Sequence, residues 1–294
     1  DQSKPMLFAM YELDKVNSTA IMQSFNDCCC KLWPSGIQYN KILQVVTDQA
    51  AYMVSAFSQL KPMYSNLHHV TCVAHALHRV CEAVRVEYAV VNDFISELKK
   101  TLVKAPSRIQ HYKEITGLPL PKFPILTRWG TWISCAVFLC ENFTKIKEFL
   151  LSLDDAGSAA AGRAKDLLRD PNLETELYAV HTFKFIPEAI LQLEEESLPK
   201  EVQWSVVEKT ESMLEGFAKE KLKQSLSKNP DLEKFVKCSD LELRVRTKYA
   251  PLVSVDVERS FSMYKDILHS KRQNLTFKHI EMLNVIKYNS FLMQ

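Results

Sequence analysis

Glycine is scarce in this chain, with 6 in 294 residues. That scarcity fits a fold whose bulk is helical, since glycine is the usual residue of tight turns and bulges. Long apolar runs are also missing: no window approaches eighteen uncharged apolar residues, which leaves no candidate membrane-spanning helix. The opening stretch DQSKPMLFAMYELD lacks the basic start and small-residue cleavage site of a secretory signal. The eight cysteines do not form the spaced framework of a disulfide-stapled domain, and three of them, Cys28, Cys29 and Cys30, are consecutive. They read as reduced thiols of the cytosol or nucleus. Charge is nearly balanced, 37 basic against 35 acidic residues for a net +2, so any contact with nucleic acid has to come from a local patch. What the chain does have is apolar residues, 47% of the total, enough for one large core or two smaller ones.

Up to about residue 72 the hydrophobic pattern alternates between extended and helical periods. Pro5 to Leu13 reads as a strand, Asn17 to Trp33 as a helix capped by Asn17 or Ser18, and Pro34 to Gly36 as a turn. Then ILQVV is a strand, AAYMVSAFSQL a helix, LHHVTC a short strand and VAHALHRVCEAVR a helix, an order that predicts an α/β sheet with covering helices. Beyond residue 86 the strand signal nearly vanishes. Arg128 to Leu153 reads as one long helix after the proline-rich connection from Gly117 to Pro124. Val202 to Leu226 reads as a second, with Val206, Val207, Met213, Leu214 and Phe217 on roughly one face. Asp154 to Ala164 reads as a flexible joint.

Four places carry residues suited to chemistry. Asp48 follows an apolar strand and precedes a helix, a position for an N-cap or for a metal ligand at the carboxyl end of a buried strand. Cys72, His75, His78 and Cys81 recur at steps of three, but each step turns about 300° on a helix, so the last is rotated about 180° from the first. One helix cannot aim all four at a tetrahedral ion. In PLVSVDVERSFSMYKDIL, Ser254 can cap a helix, and Asp256 and Glu258 then point about 200° apart. Glu258 is the acid expected to face a site, because it shares a side with Phe261. Basic residues gather at Lys99, Lys100, Lys104, Arg108 and Lys113, and again at Lys265, Lys271, Arg272 and Lys278, while Trp129 and Trp132 beside Arg128 can stack on unpaired bases or fill a core.

Taken in order, VVTDQAAYM, HVTCVAHALHRV, LTRWGTW, SVDVERSFSMYKDIL and LTFKHIEMLNVI resemble the hAT superfamily of cut-and-paste DNA transposases, and above all its host-resident, transposase-derived members. The resemblance runs along nearly the whole chain. It implies an RNase H-like α/β core interrupted by a large all-α insertion and closed by a helical C-terminal dimerisation region. The implied segments are residues 1–86 for a partial core, 87–250 for the insertion and 251–294 for the C-terminal part. In that family an Asp-Asp-Glu triad holds two divalent ions, usually magnesium. Carried over, Asp48 takes the place of the second Asp and Glu258 that of the Glu, which makes them the catalytic and metal-binding candidates. Cys72 and His75 match the Cys-x-x-His beside the site, and Trp129 the tryptophan that handles the DNA end. Arg128, Lys271 and Arg272 complete the candidate DNA-binding set.

The first Asp of the triad has no counterpart, since Asp1 and Asp14 flank the wrong strand. The sheet is therefore expected to be incomplete, with its first strands missing, so that residues 5–13 pair with 42–47 directly or leave an edge open. No paired Cys and His ligands of a zinc-finger module precede residue 28. Two carboxylates make a poor cage for two cations, so the chain alone is expected to be no enzyme and to need no cofactor, with magnesium entering only if it is active. The expected function is that of a nuclear, transposase-derived homodimer that contacts DNA and no membrane. Two alternatives stand beside it: an active metal-dependent transposase if an upstream segment supplies the first Asp, and a helical protein-interaction module with no nucleic-acid role.

Overall fold

The computed structural model describes residues 5–125, 129–154, 158–268 and 275–290. Its secondary structure is overwhelmingly helical. The helices are α1 (Ser18–Leu32), α2 (Ala51–Leu60), α3 (Val73–Glu87), α4 (Ala89–Leu102), α5 (Pro106–Thr116), α6 (Thr131–Glu141), α7 (Phe143–Ser152) and α8 (Ala159–Leu167). They continue with α9 (Pro171–His181), α10 (Phe185–Leu193), α11 (Lys200–Met213), α12 (Gly216–Ser227), α13 (Leu232–Val236), α14 (Leu241–Arg246), α15 (Val255–Ile267) and α16 (Phe277–Tyr288). Against these stand two strands among the described residues, β1 (Gln44–Thr47) and β2 (His68–Thr71), paired parallel with Gln44 opposite His68. Among the described residues no helix is long and apolar enough to cross a membrane.

The expected α/β class with an incomplete RNase H-like sheet is therefore corrected: a two-stranded ribbon of four-residue strands is not such a sheet. The physical reason is visible at Pro5 to Leu13, the expected third strand. Its backbone is taken by side chains of α16 and the residue after it. Asn289 accepts from the Leu7 amide at 3.0 Å and donates to the Leu7 carbonyl at 2.8 Å, while Glu281 accepts from the Met10 amide at 3.3 Å. Met6 and Phe8, on one face of the segment, remain largely exposed, while Leu7 and Ala9 on the other face are half-buried. Alternating hydrophobicity here marks an extended chain without a ladder.

Two long helices are also divided. The stretch read as one helix to Leu153 breaks between α6 and α7, where Asn142 donates its side-chain amide to the Phe138 carbonyl. The stretch from Val202 breaks between α11 and α12, where Gly216 takes a left-handed φ of 52°. The break separates the expected apolar face: Val207 and Leu214 are buried, but Met213 and Phe217 are exposed. The expected joint at 154–164 is helical from Ala159, because Ser158 caps α8 by accepting from the Ala161 amide; residues 155–157 lie outside the described residues.

The chain forms two compact units. One comprises Asp1–Val73, Glu194–Ser205 and Leu226–Gln294, and the other Ala74–Leu193 and Val206–Ser225. The second is a helical assembly in which α4 lies against α8 and α9, α6 against α9, and α5 against α7. Tyr112 and Phe149 meet edge to face at 5.1 Å in its core. Gly130 opens α6 at φ 68°, and a β-carbon there would sit 3.3 Å from Pro187, so both backbone and space favour glycine.

In the first unit, α1 and α2 close over Cys29, Phe57, Leu60, Tyr64 and Leu67. Asn17 caps α1 as expected, accepting from the Ala20 amide at 2.9 Å. The ribbon is anchored on the side of β2 away from β1. Asn229 accepts from the Thr71 amide at 3.0 Å and donates to the Thr71 carbonyl at 2.7 Å. Asp231 accepts from the His69 amide at 2.9 Å through its carboxylate and donates its own amide to the His69 carbonyl at 3.2 Å. Burial works against ionisation of Asp231, but the Lys61 ammonium and the His69 amide outweigh it and hold its carboxyl below the usual range. The His69 ring is buried between Phe57 and Thr47. Because the Thr47 hydroxyl donates to the Asp48 carbonyl, it can only accept from His69, so Nε2 carries the ring proton.

Burial pushes the His69 imidazole from its ordinary 6.5 down to about 4. A histidine buried in the neutral form contributes stability that is fully present above pH 6.5 and lost as pH falls toward the folded value. The denaturation midpoint should therefore drop between pH 6.5 and 4, by on the order of 3 kcal/mol in unfolding free energy. His69→Gln should flatten most of that slope in chemical denaturation; an unchanged slope would show that His69 is not its source.

Candidate functional site

The site is built where the two strands end. Thr47 is the last residue of β1, and Cys72 extends the ladder by donating its amide to the Thr47 carbonyl at 2.8 Å. Asp48 then leaves the strand and accepts from the Ala50 amide at 3.2 Å. It turns the chain into α2 without capping it: the N-cap is Ala50, which has no side-chain cap bond. A short acid two residues ahead of the amide it binds makes an Asx turn, a local role that accounts for its place after the strand.

The stretch from Pro251 is stitched to the same strand ends. Gln44 donates its side-chain amide to the Pro251 carbonyl at 2.7 Å, the Val73 amide donates to the Leu252 carbonyl at 2.9 Å, and the Ser254 amide donates to Cys72 Sγ at 3.3 Å. Gln203 supports the stretch from behind, accepting from the Leu252 amide at 2.7 Å. These bonds deliver the start of α15 to the strand ends, with Asp256 and Glu258 in its first turn, where the helix dipole favours acids.

The two acids then separate in role. Asp256 accepts from Arg259 at 3.1 Å and from the Tyr288 hydroxyl at 3.4 Å. Burial, reinforced by the Asp256 charge, pushes the Tyr288 phenol up to about 12. Glu258 instead lies near enough to Asp48 to feel its charge. Its carboxyl is raised above the ordinary range first by burial and then by the Asp48 charge, with Lys265 opposing. Phe261, expected on the same side, is 51% exposed, so an apolar neighbour is not what turns Glu258 inward. Asp48, Glu258 and Cys72 are thus brought together from three separate stretches of one unit.

His75 and Trp129 meet in the other unit, ring centroids 4.6 Å apart and steeply inclined. Trp129 is half-buried, whereas Trp132 is a core residue at 5% exposure. Arg128, Lys271 and Arg272 lie outside the described residues. Of the other basic residues, Lys99 donates to the Pro124 carbonyl, Lys100 pairs with Glu97, and Arg108 donates to the Thr101 carbonyl. These bonds hold α4 and its neighbours and spend part of the basic face on the fold.

Among the described residues no group of three or more His, Cys, Asp or Glu is placed to hold a metal ion. In α3, Cys81 is buried at 1% exposure and its thiol is pushed up to about 12 by burial. Asp48 and Glu258 supply two carboxylates where two ions about 3.5–4 Å apart need a fuller oxygen shell. The residues present do not fit the two-magnesium centre of the resembled family. In the second unit, Asp93, Glu97, Arg163, Asp166, Arg169 and Asp170 line an open cleft of about 890 Å³. Its charges satisfy one another: Arg163 bonds Glu97, Arg169 bonds Asp166, and Asp170 caps α9.

Reading the sequence missed Asn229, Asp231 and Gln203, the side chains that position the strand ends. The only signal in KNPDLEKF is that of a turn followed by a helix start, which does not disclose a bond to a strand 158 residues away. Glu258 holds a raised folded pKa, so it favours the fold while protonated and weakens it as pH rises through that value. Glu258→Gln should therefore raise the melting temperature at pH 7 in the presence of a chelator, with the gain shrinking as pH falls toward 4. An equal gain at both pH values would show that the Glu258 carboxyl is not raised in the folded protein.

No protein-family model matches the chain, and no curated protein matches it.

Proposed function

We propose that the chain is a transposase-derived protein of hAT type that self-associates and contacts DNA in the nucleus without cleaving it on its own. The observation that supports this most is the meeting of Asp48 with Glu258, beside Cys72, at the ends of the two strands. Those three residues come from three of the motifs that carry the resemblance, and a helical packing accident has no need to bring two acids within reach of each other's charge. Like charges placed near one another cost stability, so the pair is better explained by the chemistry of an ancestral site than by packing. The reading does not depend on a complete sheet.

Inactivity follows from the donor set. Two carboxylates without a third cannot clamp the attacking and leaving oxygens of a phosphodiester between two cations. The C-terminal helices are the proposed surface for self-association. α15 and α16 pack on each other, with Ile280 buried, and leave Val257, Phe261, Met282, Leu283 and Ile286 exposed.

Three measurements test the proposal together. Sedimentation velocity should show a dimer that Leu283→Glu with Ile286→Glu converts to monomer. Retention on duplex DNA should fall steeply as salt rises from 50 to about 200 mM, the signature of phosphate contacts. A magnesium-dependent nicking assay should give no product. Nicking that disappears in Asp48→Asn would overturn the inactive reading in favour of an enzyme. A monomer that DNA does not retain at low salt would remove the proposal altogether.

A further inference from the structure

Positive charge is concentrated in one short stretch of the chain. Residues 99–122 hold six basic residues, Lys99, Lys100, Lys104, Arg108, Lys113 and Lys122, against the single acid Glu114, a net of +5. The whole chain carries +2, so the other 270 residues sum to −3. The stretch comprises the end of α4, all of α5 and the loop after it, within the second unit. It folds back on itself: the Tyr112 hydroxyl donates to the Pro119 carbonyl at 3.2 Å, and Lys99 donates to the Pro124 carbonyl, just past the end, also at 3.2 Å. All five lysines are exposed. The fold uses three of the six cations, Lys99 in that loop bond, Lys100 with Glu97 and Arg108 on the Thr101 carbonyl. The side chains of Lys104, Lys113 and Lys122 have no partner among the described residues. Lys104 stands at the corner between α4 and α5 with a left-handed φ of 61°, a backbone that glycine or asparagine would hold more readily.

We infer that this stretch is the surface by which the chain holds duplex DNA, through phosphates and without regard to sequence; the inference rests on the DNA contact proposed above. Charge complementarity names a polyanion as the occupant, since a net +5 over so few residues stands against a chain that is otherwise slightly acidic. The length of α5 suits a duplex. Its 11 residues run about 16 Å, so Lys104 ahead of the first turn and Lys113 in the last are spaced along roughly five base pairs. A lysine ammonium is a point charge that pairs with phosphate and reads little of the base edges. Unpaired strand fits less well, because stacking needs exposed rings, and here Tyr112 is buried and Phe123 half-buried. A bilayer fits less well too: the exposed apolar side chains of the stretch, Val103 and Ile115, are aliphatic and less than half exposed, and no aromatic anchor accompanies them.

The test measures the affinity of the full chain for a short duplex of mixed sequence as salt rises from 50 to about 200 mM. Each phosphate contact adds about 0.9 to the slope of log affinity against log salt. The triple variant Lys104→Gln, Lys113→Gln, Lys122→Gln should therefore lower that slope by about 2.7 and melt at the wild-type temperature. Lys15→Gln, Lys41→Gln, Lys228→Gln removes the same charge from exposed lysines of the first unit and should keep the wild-type slope. In the wild type, acetylation of Lys104, Lys113 and Lys122, read by mass spectrometry, should be as fast as at Lys15, Lys41 and Lys228 in the free chain and should slow when duplex is added. Should the triple variant melt early, this protection carries the comparison. Wild-type binding whose slope the triple variant leaves unchanged overturns the inference and leaves DNA contact elsewhere on the chain. No retention of the wild type at the lowest salt removes the DNA contact itself, and the inference with it. Slow acetylation of the three lysines without DNA shows them covered by another segment of the same protein or by a second copy. A triple variant that loses binding to vesicles of phosphatidylcholine and phosphatidylserine, but not to the duplex, shows a lipid surface. Either result overturns the inference.

Discussion

Asn229 and Asp231 stand where a strand would run beside β2, and much of the first unit depends on them. A sheet of two four-residue strands cannot hold itself together in water, since too few ladder bonds oppose the entropy of ordering the chain. Here the missing neighbour is replaced by two side chains and one backbone amide from the loop before α13. Lys61, at the end of α2, binds the same Asp231, so the loop ties strand to helix as well as replacing a strand. His69 closes the arrangement from the inside, its ring proton committed to Thr47.

That anchoring sets what the strand ends can hold. With β2 fixed, Cys72 has a fixed sulfur, and the Ser254 amide that donates to it fixes the start of α15. Glu258 follows one turn later and meets Asp48. The pair is a consequence of backbone bonds made elsewhere, which is why removing a charge from it costs the architecture little. The same logic separates Asp256 from Glu258, two residues apart on one helix: one is drawn to Arg259 and Tyr288, the other is left within reach of an acid's charge.

Much of the local structure was legible in the residues. Asn17 announced its helix by being a short acceptor before an amphipathic run, and the β-branched pairs Val45 with Val46 and Val70 with Thr71 announced both strands that form. The choice of Glu258 over Asp256 was reached by helical angle, although the neighbour credited with turning it inward, Phe261, faces out. Three errors share one cause. Pro5 to Leu13, the break at Asn142 and the break at Gly216 all depend on partners far along the chain or on a single backbone angle, to which periodicity is blind.

By itself the sequence determined that α1, α2 and α3 are helical, that β1 and β2 are extended, and that two acids and a Cys-x-x-His sit near the junctions between elements. Those properties follow from side-chain period and capping, which act within a few residues. The tertiary structure alone decided that an extended run beginning at Pro5 is not a strand, that Asn229 and Asp231 replace one, and that Asp48 comes near Glu258. Each of those outcomes depends on where a backbone amide or carbonyl finds its partner, and in a folded chain that partner is chosen by packing rather than by neighbours in sequence.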